Sequence, residues 1–224
     1  TPLWSYTLDG GGTAQVDISA DGSYITAGTQ NNVYLFDKQS GTPLWSRSLA
    51  STNYRLSAIA ISADGNYIVT ASDISGGYIG RINLFTKDGT ELWNFTDGPN
   101  GCCGSYMLTI DISADGEYLV AAQMGVVFLF NKDNSTPLWK FTAEDRVLDA
   151  DISENGQYIT AYGEDEKVYF FDKNSSTPLW AYDTEGRGRS VAISAYGKYI
   201  TAGSDNDEVY VFKNLLVSGL KLKA

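Results

Sequence analysis

No histidine occurs in the 224 residues. That absence removes the commonest general base, the Ser-His-Asp arrangement and histidine metal sites together, and closes most hydrolase chemistry to the chain. Basic residues are few: sixteen Lys and Arg stand against twenty-seven Asp and Glu, a formal charge of −11. Such a surface repels phosphate backbones and argues against nucleic acid as a partner. Long runs of Ala, Leu, Glu and Lys are missing, and no apolar run approaches the ~18 residues of a membrane span. Cysteine is confined to one adjacent pair, Cys102 and Cys103. The chain starts at Thr1 without a methionine or a signal pattern, which reads as a processed or excised piece of a longer product.

What is abundant is tyrosine, with fifteen copies, and hydrophobic residues at an ordinary 43%. Both suit half-buried strands in a folded domain. The decisive feature is an internal repeat. Trp4, Trp45, Trp93, Trp139 and Trp180 recur at spacings of 41, 48, 46 and 41. Four sit in Thr-Pro-Leu-Trp and the third in Thr90-Glu91-Leu92-Trp93. An Ile-Ser-x-x-Gly element follows at Ile18, Ile61, Ile112, Ile152 and Ile193, with tyrosine two residues beyond each glycine. A hydrophobic run then closes each unit: Val33 to Phe36, Ile82 to Phe85, Val127 to Phe130, Val168 to Phe171 and Val209 to Phe212.

Each unit reads as four short strands. Asp21-Gly22 is the signal of a two-residue type I′ hairpin between the first and second, with Asn155-Gly156 equivalent and Tyr196-Gly197 a departure. The third strand is apolar on both faces, as a strand between two layers should be. The fourth carries the tryptophan and alternates with polar residues, so it lies outermost. A lone four-stranded sheet cannot bury both faces, whereas a ring of such sheets can. The expectation is an all-β, five-bladed propeller over 1–213 with a tail at 214–224. The last unit lacks its tryptophan strand, so residues 1–8 are expected to complete the blade at 189–213 and close the ring. The alternative is an excerpt of a larger wheel.

Units such as Val191-Ala192-Ile193-Ser194 followed by Gly197-Lys198-Tyr199-Ile200 and Val209-Tyr210-Val211-Phe212 resemble WD40-like propeller repeats. The segment Phe36 to Trp45 resembles the tryptophan-docking motif of PQQ-like propellers, and the likeness covers about residues 1–213. The relatives suggested are exported PQQ-like repeat proteins of archaea and bacteria. The Trp-Asp and Gly-His pairs of eukaryotic WD40 repeats are replaced here, for example by Phe36-Asp37. The quinone enzymes of the superfamily are larger, and no cofactor-ligand residue of theirs can be assigned on this chain. The resemblance therefore implies a fold and a scaffold role without an activity.

Departures from the repeat mark candidate sites. Ser72 to Gly80, including Tyr78, reads as an enlarged loop, and Asp97 to Ser105 as a second. Cys102 and Cys103 in the latter are neighbours ~3.8 Å apart at Cα, closer than most bridged pairs, so a vicinal disulfide would be strained. Flanking Gly101 and Gly104 ease that turn; a loop-stiffening bridge and two free thiols are the other readings. In quinone dehydrogenases, which the resemblance brings in, a vicinal disulfide covers the cofactor. Arg55, Arg146 and Arg187 share one position, six before the first-strand isoleucine, with Tyr106 in the third unit and Tyr54 adjacent to Arg55. Three guanidinium groups at a channel mouth suit a carboxylate or other anion, unless local acids such as Asp145, Glu164 and Glu185 hold them.

Asp17, Asp111 and Asp151 share the position before that isoleucine, which suits either a cation or water ring or hydrogen-bonded structural acids. Glu164-Asp165-Glu166 and Asp205 to Glu208 invite a calcium reading but lack EF-hand spacing. No metal site and no cofactor is assigned. Asn94, Asn134 and Asn174 head glycosylation sequons on the expected rim. The sequence reads as a non-catalytic, extracellular or cell-surface module for protein interaction, adhesion or assembly, with protein partners, self-assembly or glycans as its contacts. Two alternatives stand beside it: a quinone-type redox or sugar-active enzyme with its cofactor near the channel mouth, and a sensor of small anions.

Overall fold

The computed structural model describes residues 1–9, 11, 14–49, 54–74, 80–96 and 107–216. Their regular elements are nineteen β-strands in five antiparallel sheets. The first sheet holds β1 (Gln15–Ile18), β2 (Tyr24–Gly28), β3 (Asn32–Asp37) and β4 (Pro43–Ser48). The second holds β5 (Tyr54–Ile61), β6 (Tyr67–Ile74), β7 (Gly80–Thr86) and β8 (Glu91–Thr96). The third is built from β9 (Met107–Ile112), β10 (Tyr118–Gln123), β11 (Val126–Asn131) and β12 (Asn134–Thr142). The fourth comprises β13 (Val147–Ile152), β14 (Tyr158–Gly163), β15 (Lys167–Asp172) and β16 (Trp180–Asp183). The fifth has three strands, β17 (Gly188–Ile193), β18 (Tyr199–Ser204) and β19 (Val209–Lys213).

Within each sheet the strands pair in chain order, so the strand-by-strand reading of the repeat holds. The second strand falls on the expected Tyr24 to Gly28, and the third-strand cores Val33, Leu35, Ile82, Leu84, Val127, Leu129, Val168 and Phe170 are fully buried. They are buried because each sheet packs face to face on the next, in series from β1 through β5, β9 and β13 to β17. Between the second and third sheets, Ile82 and Leu84 meet Ile110, Ile112, Leu119 and Ala121. Replacing such a side chain, Leu84→Ala for example, costs roughly 2–5 kcal/mol in lost burial and cavity.

The turn between first and second strands differs from the expected two-residue hairpin. Glycine alone takes the left-handed conformation there, as at Gly22 (φ 68) and Gly156 (φ 66). The Asp21 carboxylate instead accepts bonds from Ser19 Oγ and Ser23 N–H, both 2.9 Å, and Ser19 Oγ accepts from Tyr24 N–H. The same set recurs at Ser62-Asp64, Ser113-Asp115 and Ser153-Asn155. A short acceptor side chain holds a longer loop, so only one positive φ is needed. Tyr196 cannot supply that acceptor and stands exposed.

A ladder joining the N-terminal segment to the fifth sheet is not among the pairings of the described residues. Residues 1–8 contain no strand, and among the described residues β19 pairs with β18. Trp4 stacks on Phe36 with centroids 5.3 Å apart and donates its indole N–H to Lys38 O at 2.9 Å. Every other repeat tryptophan reaches forward to the next sheet in the same way: Trp45 to Phe85, Trp93 to Phe130, Trp139 to Phe171 and Trp180 to Phe212. Trp4 thus sits as the outer-strand tryptophan of a sheet ahead of the first. It docks on β3 through its ring, and that contact needs no ladder to β19.

Candidate functional site

The inner strands surround a common space. Two cavities of about 280 and 300 Å³ share Asp17, Asp111 and Asp151 in their walls, and strands from all five sheets contribute to both. Each inner strand is the edge of its sheet, so its outward N–H groups need acceptors from elsewhere. The aspartates provide them across the sheet junctions. Asp17 Oδ2 accepts from Ile61 N–H at 2.8 Å, Asp111 Oδ2 from Ile152 N–H at 3.2 Å, and Asp151 Oδ2 from Ile193 N–H at 2.8 Å. Asp149, which the sequence reading passed over, accepts from Val191 N–H at 2.9 Å and from Thr109 Oγ1. These carboxylates are structural acids.

The setting of Asp17, Asp111 and Asp149 disfavours ionisation. Burial pushes Asp111 well above the ordinary carboxylate range, and the hydrogen bond and like charge of Asp151 push in the same direction. Burial likewise raises Asp17 and Asp149, against the opposing pull of the main-chain bonds they accept. Among the described residues no group of three or more acidic, thiol or imidazole side chains converges as a metal site would require.

The three arginines of the trio stand in different local settings. Arg55 lies directly opposite Asp73 in the β5–β6 ladder, and its charge acts on that carboxylate, which burial nonetheless raises. The expected loop at Ser72 is therefore strand as far as Ile74. Arg146 and Arg187 are exposed, precede β13 and β17, and line neither central cavity. Their main chains are tied to local acids: Arg146 N–H to Asp145 and Arg187 N–H to Asp205. The acidic runs are similarly engaged. Asp165 accepts from Tyr169 O–H at 2.7 Å, and Asp205 pairs with Arg189 at 3.5 Å. Tyr54 opens β5. Tyr78, Cys102, Cys103 and Tyr106 lie outside the described residues.

On the rim, Asn94, Asn134 and Asn174 are exposed, on β8, at the start of β12 and in the turn after β15. Beside them the outer strands present a recurring leucine, Leu44, Leu92, Leu138 and Leu179, between 43% and 53% exposed. The sequence shows these leucines in every Thr-x-Leu-Trp element, but only the alternation of the outer strand reveals that they face away from the tryptophan.

Sheets of this strand order, packed face to face in series around a shared cavity, are the blades of a β-propeller. A family model described as outer membrane protein assembly factor BamB matches residues 1–106 and 77–223, and the chain belongs to this family of PQQ-like repeats. Comparison with curated proteins gives no match. No helix among the described residues is long and apolar enough to cross a membrane.

Proposed function

We propose that the chain is a non-catalytic propeller module that makes protein contacts through its rim and loops, in an extracellular or cell-surface setting. The observation that carries this reading is the commitment of the central carboxylates. In the quinone enzymes that the repeat resembles, the wheel holds a calcium-bound cofactor. Here Asp17, Asp111, Asp149 and Asp151 are engaged by main-chain N–H groups of the adjoining blade. The centre is a joint between blades, and the variable and apolar surface lies outside it. The family's description, an assembly factor, agrees with a role in protein contacts, and the three exposed sequon asparagines agree with an exported protein.

A thermal-shift assay with pyrroloquinoline quinone plus calcium, and with a panel of small carboxylates, tests the reading. An unchanged melting temperature is expected throughout. Stabilisation by quinone plus calcium would replace it with the cofactor enzyme, and stabilisation by a carboxylate with the anion sensor. Mass spectrometry of protein from its native source tests the setting: glycan on Asn94, Asn134 or Asn174 is expected, and three bare asparagines would count against it.

A further inference from the structure

The outer strands are edges of their sheets, and β12 differs from the others in three respects. It runs for nine residues, against six in β4 and β8 and four in β16. Ala143 N–H donates to Gly125 O at 2.8 Å, and Phe141 and Trp139 lie opposite Val127 and Leu129 in the ladder to β11. Main-chain N–H groups alternate in direction along a strand, so those of Leu138, Lys140 and Thr142 point away from β11. No ladder among the described residues takes them up.

The second difference is a groove. Between β8 and β12 lies an open hollow of about 380 Å³ walled by Phe95, Phe128, Pro137, Trp139 and Lys140. The ladder pair Phe128–Lys140 corresponds to Tyr34–Ser46, Asn83–Asn94 and Tyr169–Ala181 in the other four-stranded sheets. Each of those third-strand residues carries a polar group that is already engaged. The Tyr34 hydroxyl accepts from Asp9 N–H, the Asn83 amide donates to Glu91, and the Tyr169 hydroxyl donates to Asp165. Phe128 has no such group, so its hollow keeps an aromatic floor.

The third difference is charge. Lys140 is the one cation at that ladder position, is exposed, and has no ion-pair partner among the described residues. Lys132, Lys167 and Arg189, by contrast, are each held by an acid of the chain. An unpaired cation beside an aromatic hollow suits a carboxylate that arrives with a partner. We infer that the β12 edge takes up an extended segment of another protein as an added strand, with an apolar side chain in the hollow and a carboxylate two residues along on Lys140. The inference rests on the reading of the rim as a protein-contact surface, and it gives that surface a place and a partner chemistry. Charge decides between occupants. The chain's own Leu220-Lys221-Leu222-Lys223 would set lysines against Lys140, and a second β12 laid on the first would bring two copies of Lys140 together. An acidic segment of a different protein meets neither repulsion.

Fluorescence anisotropy with a labelled heptapeptide, Ser-Thr-Phe-Thr-Asp-Val-Thr, and with its reversed sequence tests the inference in both strand directions. At least one of the two should bind saturably, and more weakly as salt rises. Replacing its Phe by Ala or its Asp by Lys should weaken binding. Lys140→Glu should weaken the unmodified peptide by about fivefold, the upper range for an exposed ion pair, and should favour the peptide with Lys in place of Asp. Thr142→Pro removes an outward N–H without breaking the ladder to β11, so it should keep the parent melting temperature and lose peptide affinity. A chain that binds neither peptide at millimolar concentration would overturn the inference, as would binding indifferent to both substitutions. So would sedimentation in which Lys140→Glu abolishes self-association of the parent chain, since the edge would then belong to a second copy. None of these results touches the wider reading of a non-catalytic module, which fails instead on stabilisation by quinone plus calcium.

Discussion

Asp17 on β1 holds the main-chain N–H of Ile61 on the neighbouring blade, Oδ2 to N at 2.8 Å, and so one carboxylate joins two sheets that share no ladder. Truncating it leaves a part-buried N–H without its acceptor. Asp17→Ala should lower stability by about 1–3 kcal/mol, while Asp17→Asn, which keeps an acceptor oxygen, should recover most of that loss. Chemical denaturation of the two variants beside the parent measures the difference. Equal stability of Asp17→Ala and parent would remove the carboxylate from the junction.

Asp111 gives stability a direction with pH. Asp111 is raised in the folded chain by burial and by its neighbour, so the folded state holds that proton more tightly than the unfolded state does. Its contribution is therefore full below the unfolded aspartate value of about 3.9 and is lost as pH rises from there through the elevated folded value. The turn aspartates Asp21 and Asp64 act in the opposite sense. Hydrogen bonds from Ser23 and Ser19 lower Asp21 to about 2, so its contribution disappears as pH falls. The comparison of Asp111→Asn with the parent separates the two. An asparagine can accept from Ile152 N–H and donate to Asp151, so the variant should gain melting temperature relative to parent as pH rises from acid to neutral. A difference that stays constant with pH would show that Asp111 does not titrate in this window.

Glycines at equivalent turns should respond unequally to the same change. Gly156 and Gly22 have φ of 66 and 68, but a Cβ on Gly156 would stand 2.7 Å from Tyr118. Gly22→Ala carries only the backbone penalty, about 1–2 kcal/mol. Gly156→Ala adds displacement of the tyrosine, and its melting temperature should fall further. Equal losses would mean that the tyrosine moves aside freely.

The forward-reaching tryptophans offer a third kind of junction. Trp139 stacks on Phe171 and donates to Lys173 O at 2.8 Å. Trp139→Phe keeps the ring contact and should lose about 1 kcal/mol, the net value of one hydrogen bond. Trp139→Ala should lose more, roughly 2–3 kcal/mol for a half-buried ring. Denaturation midpoints in that order are expected; the reverse order would contradict the docking role.

Much of the blade was legible because the repeat writes each strand several times over. Tyr24 to Gly28 and the buried run Val33 to Phe36 fall where their pattern placed them. The acceptors of the central aspartates were not legible, because Asp17 bonds to a main-chain group 44 residues away and an N–H leaves no mark in sequence. The neighbour of Arg55 was not legible for a related reason. Asp73 lies in strand where a run of small and polar residues reads as loop. The docking of Trp4 on Phe36 follows the same forward reach as the other repeat tryptophans, and its place ahead of the first sheet was legible in the Thr-Pro-Leu-Trp element.

The central claim is that the carboxylates around the axis join blade to blade. Hydrogen exchange at the Ile193 amide tests it most directly, since Asp151 Oδ2 accepts that N–H at 2.8 Å. Asp151→Ala should speed exchange at Ile193, and Asp151→Asn should restore protection. Exchange at Ile193 that is unchanged in Asp151→Ala would contradict the account.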